Sequence, residues 1–196
     1  MLVMHIPSSF KVSDQGELFS FINQYSFGQL ISIVDDRPCS THIPFLLDSE
    51  NKKLICHLAK INTQWKSIHD QEVLITFLGP HDYISPTWYV GNGVPTWDYQ
   101  AVHVYGKATV INDHEILKNM VDELSSKYES KKPDPWLGEY VDEMLSAIIG
   151  IEIDIKEIQG QYKLSQNRSK EDREQVIKTL KKNGSKQLSR AIKKYI

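Results

Sequence analysis

Residues 148–160, IIGIEIDIKEIQG, alternate from Ile149: Ile151, Ile153 and Ile155 fall on one side, and Glu152, Asp154 and Lys156 on the other. Successive strand side chains point to opposite faces, so this period of two defines a half-buried strand. Such a strand must cover its apolar side, which requires further strands or helices. Five more segments read as strands: GQLISIV, CSTHIPFLLD, LICHL, EVLITFLG and YQAVHVYGKATVI. Turns at Asp35-Asp36-Arg37-Pro38 and at SENKK join the first three. Before the C-terminal tail, helical spacing is found in SDQGELFSFINQYS, with Ser13 as its cap, and in 113–128 and 136–147, which ESKKPDP separates. HIPSSF reads as extended, and AKINTQWKSIHD as helix or loop. Strand and helix do not alternate as a doubly wound sheet requires. The expected class is therefore mainly β with peripheral helices, as an antiparallel barrel whose closure leaves no exposed edges.

Charge divides the chain in two. Residues 1–162 carry 12 Lys and Arg against 22 Asp and Glu, while residues 163–196 carry 11 against 3. We therefore read 1–162 as one body with helices inserted at about 113–147, and 163–196 as a basic helical tail, with helices near 169–182 and 186–195. Such a tail either binds phosphate backbones or packs on its own body or a partner subunit. No apolar run reaches the roughly 18 residues of a membrane span. Cys39 and Cys56 are too few for a disulfide framework and read as reduced, buried thiols of a cytoplasmic protein.

Several chemistries lack their motifs. The seven histidines, at 5, 42, 57, 69, 81, 103 and 114, show no metal-ligand spacing. The Gly-x-Gly at Gly91 and Gly93 is followed by Pro95 rather than a helix, which excludes a dinucleotide fingerprint. No nucleophile elbow is present. What remains is polar residues set into strands. Thr41 and His42 interrupt an apolar strand, and HLAKINTQW delivers His57, Lys60, Asn62, Gln64 and Trp65 at a strand end. Donors at such a junction suit a phosphate, or equally a capped helix with a packed tryptophan. His103 sits in the strand AVHVYG, as a core histidine or a site residue. SPTWYVGNGVPTWDYQ surrounds a Gly-Asn-Gly turn with rings, including Trp97 and Tyr99, which read as a long loop held beside a core or a ligand.

NQYSFGQLIS, THIPFLL, HLAKINTQWK, FLGPHDYISPTWY, VPTWDYQAVHVYGKA and YKLSQNRSKEDRE, in this order from about residue 4 to 180, resemble the PaiB family. Its members are FMN-binding negative transcriptional regulators on the flavin-binding split barrel of pyridoxamine-phosphate oxidases. The resemblance implies a six-stranded antiparallel split barrel of Greek-key type that dimerises, with FMN at the subunit interface. Thr41, His42 and Ile43 would then line the ring. His57, Lys60, Asn62, Trp65 and Lys66 would surround the phosphate. IQGQYKL would place Lys163 at the pyrimidine edge, where a cation stabilises reduced flavin. Trp97 and Tyr99 would wall the ring, with His103 beside it. The chain has no arginine before STHIPFL, and Ile158 stands where the oxidases have tryptophan. No residue is assigned a catalytic or metal-binding role. The resemblance implies a repressor, for which the basic tail 163–196 or another surface would contact DNA. A small-molecule flavin oxidoreductase and a haem or flat-ligand carrier on the same barrel are the alternatives.

Overall fold

The computed structural model describes residues 4–136 and 138–195. Its strands are β1 (Lys11–Val12), β2 (Phe27–Val34), β3 (Arg37–Pro44), β4 (Leu46–Asp48), β5 (Lys53–Ala59), β6 (Glu72–Ile84), β7 (Thr96–Ile111) and β8 (Ile148–Lys163). Its helices are α1 (Gln15–Gln24), α2 (Trp65–Ile68), α3 (His114–Glu129), α4 (Asp142–Ser146), α5 (Lys170–Lys182) and α6 (Lys186–Lys194). The sheet runs β3-β2-β6-β7-β8-β5-β4, and β1 pairs with β8. The class is mainly β, with a largely antiparallel sheet and several helices.

The chain forms two compact units. One comprises Ile22–Phe77 and His103–Ile158; the other comprises the chain up to Phe21, Leu78–Val102, and Gln159 onward.

In the unit of Ile22–Phe77 and His103–Ile158, β2 and β3 form a hairpin in which Val34 faces Arg37 and Leu30 faces Thr41. Asp35 and Asp36 both adopt positive φ, 49° and 59°. This is the mirror-image turn whose twist matches the strands it joins. Along β5, Leu54, Cys56 and Leu58 are buried, and Cys56 pairs with Ile151 of β8. Phe45 and Phe77 meet edge to face at 5.4 Å in this core, each buried side chain of this size contributing roughly 1.5–3 kcal/mol. Gly28 is fixed by crowding, because a Cβ there would lie 2.8 Å from the Phe77 ring.

The other unit buries Leu18, Ile84, Tyr162, Leu164, Val176, Leu180, Leu188 and Ile192. Tyr162 packs against Phe21 at 5.3 Å and edge to face against Tyr195 at 6.4 Å. Every apolar residue of α5 and α6 among these is buried, so the amphipathic tail helices bury their apolar faces within this unit.

Several expectations are corrected. Eight strands are present among the described residues rather than six, because CSTHIPFLLD breaks at Phe45, whose N–H donates to Ser26 O, and because β1 adds a short pair. Thr96–Tyr99 belongs to β7 instead of the loop before it. The helix expected over 136–147 is only α4, its acidic and proline-flanked approach being non-helical. Ser8–Phe10 is a 3₁₀ turn, not extended chain. Asp14, not Ser13, caps α1, accepting from the Glu17 N–H at 2.7 Å. Both cysteines are free, but Cys39 is only half-buried, lying on the exposed β3.

Candidate functional site

The polar residues of the Ile22–Phe77 and His103–Ile158 unit converge where β3, β5 and the entry to α2 meet. Thr41 Oγ1 donates to Gln64 Oε1 at 2.6 Å and accepts from Asn62 Nδ2 at 2.9 Å. Gln64 Nε2 donates to Ser32 Oγ at 2.9 Å and to Leu30 O at 3.2 Å, and Gln64 N–H donates to Asn62 Oδ1 at 3.1 Å. Gln64 is only 1% exposed, so this network locks the junction with its buried polar groups satisfied. The backbone is tied down as well: Lys60 N–H donates to Ala147 O, and Asn62 N–H to Ala59 O. Trp65 Nε1 donates to Lys60 O at 3.0 Å, and Lys66 Nζ lies 5.8 Å from the Trp65 ring centre.

Against this rigid frame, Lys60 Nζ has no hydrogen-bond or ion-pair partner among the described residues. Next to it, Ile61 is 91% exposed. A free ammonium, the second amide proton of Asn62 and the exposed Lys66 make a donor set suited to an anion such as a phosphate.

Alternation along β3 puts Thr41 and the buried Ile43 on one face and the exposed His42 on the other. His42 Nε2 accepts from Gln29 Nε2 at 3.0 Å, and its ring stacks near Phe27 at 6.4 Å. His57 and His103 are half-buried in the same unit, and burial pushes both imidazoles below the usual range, favouring their neutral forms.

Trp97, Tyr99 and Lys163 belong to the other unit. Lys163 Nζ donates to Thr96 Oγ1 and Trp97 O, both at 2.5 Å. It lies 3.6 Å from Asp98 Oδ1, within ion-pair reach but beyond a hydrogen bond. Asp98 is 1% exposed, and Oδ1 has no hydrogen-bond partner, while Oδ2 accepts from Ser165 Oγ at 2.5 Å. Burial pushes the Asp98 carboxyl up, and Ser165 and Lys163 pull it back down. The lysine is thus held largely by its own neighbours. Trp97 is 54% exposed, with Tyr83 edge-on at 6.2 Å and His81 at 6.4 Å.

The Gly-Asn-Gly turn is held by the tail. Asp172 Oδ1 accepts from Val90 N–H at 2.8 Å and Gly91 N–H at 3.2 Å, which holds its carboxyl below the usual range. The Arg168 guanidinium donates to Asn92 O at 3.0 Å and lies 4.3 Å from the Tyr89 ring centre. Gly93 packs against that ring so closely that no Cβ fits. The sequence reading included neither Arg168 nor Asp172 in the site. Their signal, a cation and an acid four residues apart in a polar tail, looks like any solvated helix start.

Residues 4–157 match the family described as "Putative FMN-binding domain". Over 185 residues the chain is 37% identical to protease synthase and sporulation protein PAI 2 of Bacillus subtilis, covering 90% of this chain and 89% of that one. The chain belongs to the PaiB family. An uncharacterized protein of Emericella nidulans is 34% identical over 183 residues, covering 70% of this chain and 73% of the relative. PaiB membership assigns FMN as the cofactor. The fold is shared with the flavocytochrome Anf3 of Azotobacter vinelandii, at a TM-score of 0.66 and 13% identity over 81% of this chain and 72% of that one. It is shared also with an FAD and heme binding protein of Mycobacterium smegmatis, at 0.64 and 11% over 78% and 73%. Among the described residues no helix is long and apolar enough to cross a membrane, and no three potential metal ligands cluster.

Proposed function

We propose that this PaiB-family chain is a homodimeric, FMN-binding negative regulator of transcription, built on a split barrel with the flavin at the subunit interface. The observation that carries the flavin site is Lys60, an unpartnered ammonium beside the locked Thr41–Asn62–Gln64 network. An anion is what that ammonium lacks. Lys60, Asn62 and Lys66 hold the phosphate, with His57 and Trp65 lining its surroundings. The backbone of Thr41, His42 and Ile43 follows the ring, with His103 near it. In the other unit, Lys163 keeps the start of β7, with Trp97 and Tyr99, in place. When bound, FMN supplies a ring whose charge and shape change with redox state. The chain's own residues bind and orient; none stands as an acid or base toward a substrate.

The regulatory part is supported by the likeness to PAI 2, named for protease synthesis and sporulation, across nine-tenths of the chain. The surface for DNA is the tail. Lys178, Lys181, Lys182, Lys186, Arg190 and Lys193 are exposed and have no ion-pair partner among the described residues. The charges point outward because the apolar faces of α5 and α6 are already buried.

The absorption spectrum of the purified protein tests the first part. A flavin band that is lost in Lys60→Ala is expected; a haem Soret band would transfer the reading to a haem carrier. A band shift with the protein's own upstream DNA tests the second part. Affinity should fall steeply with salt, and Lys181→Glu with Lys182→Glu should flatten that slope. No shift at low salt, with or without FMN, removes the regulator.

A further inference from the structure

A cavity lies in the unit of Ile22–Phe77 and His103–Ile158, along α3 and the segment leading into α4. It has a volume of about 490 Å³, and its walls include Leu124, Tyr128, Glu129, Trp136, Tyr140 and Met144. A volume of this size suits a small molecule. A recess of about 340 Å³ adjoins it, shares Glu129 and Trp136, and adds Asp122, Ser126 and Ser130. None of these residues takes part in the flavin site proposed above.

The aromatic walls are set in place but not covered. Trp136 is 48% exposed, and Tyr128 and Met144 are exposed as well. Trp136 and Tyr140 meet edge to face at 5.2 Å. The Tyr140 hydroxyl shares a 2.6 Å hydrogen bond with Ser125 Oγ, and the Tyr128 hydroxyl shares one of 2.7 Å with Ser26 Oγ. The indole lies against Gly138 so closely that any Cβ there would collide with it. Two tyrosines tethered by their hydroxyls and an indole seated against Gly138 form a preorganised, partly open surface.

Charge determines what that surface takes. Residues 113–147 hold nine acids and four bases, and the carboxylate that lines the cavity is Glu129. Glu129 Oε2 accepts from Trp136 N–H at 2.8 Å and Oε1 from Lys132 Nζ at 2.5 Å. Lys132 is half in water, so that pair is weak and an incoming cation can replace it. Asp122 is likewise paired with the exposed Lys118. Lys127 Nζ already lies 5.9 Å from the Tyr128 ring centre, where the chain itself sets a cation against this wall. The faces of Trp136 and Tyr140 carry the rest, since aromatic quadrupoles beside a carboxylate favour cations.

We propose that this cavity binds a small organic cation with an apolar body, a quaternary ammonium or protonated amine. The cation sits between Trp136, Tyr140 and Glu129, and the apolar body lies against Leu124 and Met144.

Ligand-detected NMR titration of the purified full-length protein with benzyltrimethylammonium, against benzyl alcohol and benzoate, tests this. Saturable binding of the cation alone is expected. Trp136→Ala should weaken it about fivefold or more, the scale of a lost cation–π wall. Glu129→Gln should weaken it, and Lys132→Met, which frees the carboxylate, should tighten it. Gly138→Ala, which dislodges the indole, should mimic Trp136→Ala. If Trp136→Ala or Gly138→Ala fails to fold, the surface changes Glu129→Gln and Lys132→Met decide. No saturable binding, equal binding of the neutral alcohol, or parent-like affinity in Glu129→Gln overturns the proposal.

Discussion

Gln64 shows how one buried amide can fix a site. Its side chain bonds Thr41, Ser32 and the Leu30 carbonyl, which belong to two strands. Gln64→Leu leaves those partners unsatisfied, so we expect a loss of about 1–3 kcal/mol, read as a lower urea midpoint at unchanged slope. The two depressed histidines set a pH dependence whose sign follows from linkage. Below the ordinary value of 6.5 the unfolded chain takes up protons that buried His57 and His103 resist. Stability should therefore fall as pH drops below 6.5, and His57→Gln with His103→Gln should reduce that fall in denaturation midpoints between pH 7 and 5. Asp98 acts in the opposite sense. Its folded value is raised above the ordinary 3.8, so its burial penalty grows as pH rises from there. Asp98→Asn should flatten that part of the curve. Asp98 also shows what the sequence conceals. β7 alternates, but its buried face begins with Asp98 and Gln100 while Trp97 faces out. The breakers Gly91, Gly93 and Pro95 signal loop up to Trp97, whereas the strand begins at Thr96, with the Trp97 ring facing out.

At the scale of elements, local patterns carried most of the reading. Ile149, Ile151 and Ile153 of β8 are buried, as their alternation implied, while Ile155 is half-buried, and α3, α5 and α6 lie within a residue or two of their expected bounds. These segments decide their own conformation by periodicity and caps. The break at Phe45 depends on a tertiary hydrogen bond to Ser26 O, which no local pattern records. The sequence placed Asn62 and Gln64 together at a strand end and Thr41 in a separate strand; the hydrogen bonds that join Thr41 to both, including the buried Gln64, are tertiary and leave no local signal. Two elements give direct tests. The β2–β3 turn holds Asp36 at φ 59°, a conformation glycine adopts without strain, so Asp36→Gly should stabilise by about 1 kcal/mol in a denaturant titration. Asp172 joins α5 to the loop before β7 through two amides. Asp172→Ala should speed hydrogen exchange at Val90 and Gly91 and expose that loop to protease, while amides in β5 keep their protection.

The whole molecule contrasts an acidic insert, whose aromatic residues are partly exposed, with a basic tail, whose apolar residues are buried so that its charges face outward. The tail is joined to its unit at separate places: Lys194 and Tyr195 both reach Glu17, Ser185 bonds Asp82, and Asp172 holds the Gly-Asn-Gly turn. Exchanging Glu17 for Gln should loosen the end of α6 alone, visible as faster exchange there, with little change in the global midpoint. The discontinuity of this unit has a consequence in time. Its segments come from the chain up to Phe21, from Leu78–Val102 and from Gln159 onward, whereas the unit holding Thr41, Asn62 and Gln64 is complete at Ile158. A ribosome releases residues in order, and domains generally fold as units during synthesis. The Thr41 junction can therefore close on the nascent chain, while the turn at Gly91 must wait for Asp172 to emerge. For that interval the Gly-Asn-Gly turn lacks the carboxylate that holds its amides, and it takes its final shape later than the Thr41 junction.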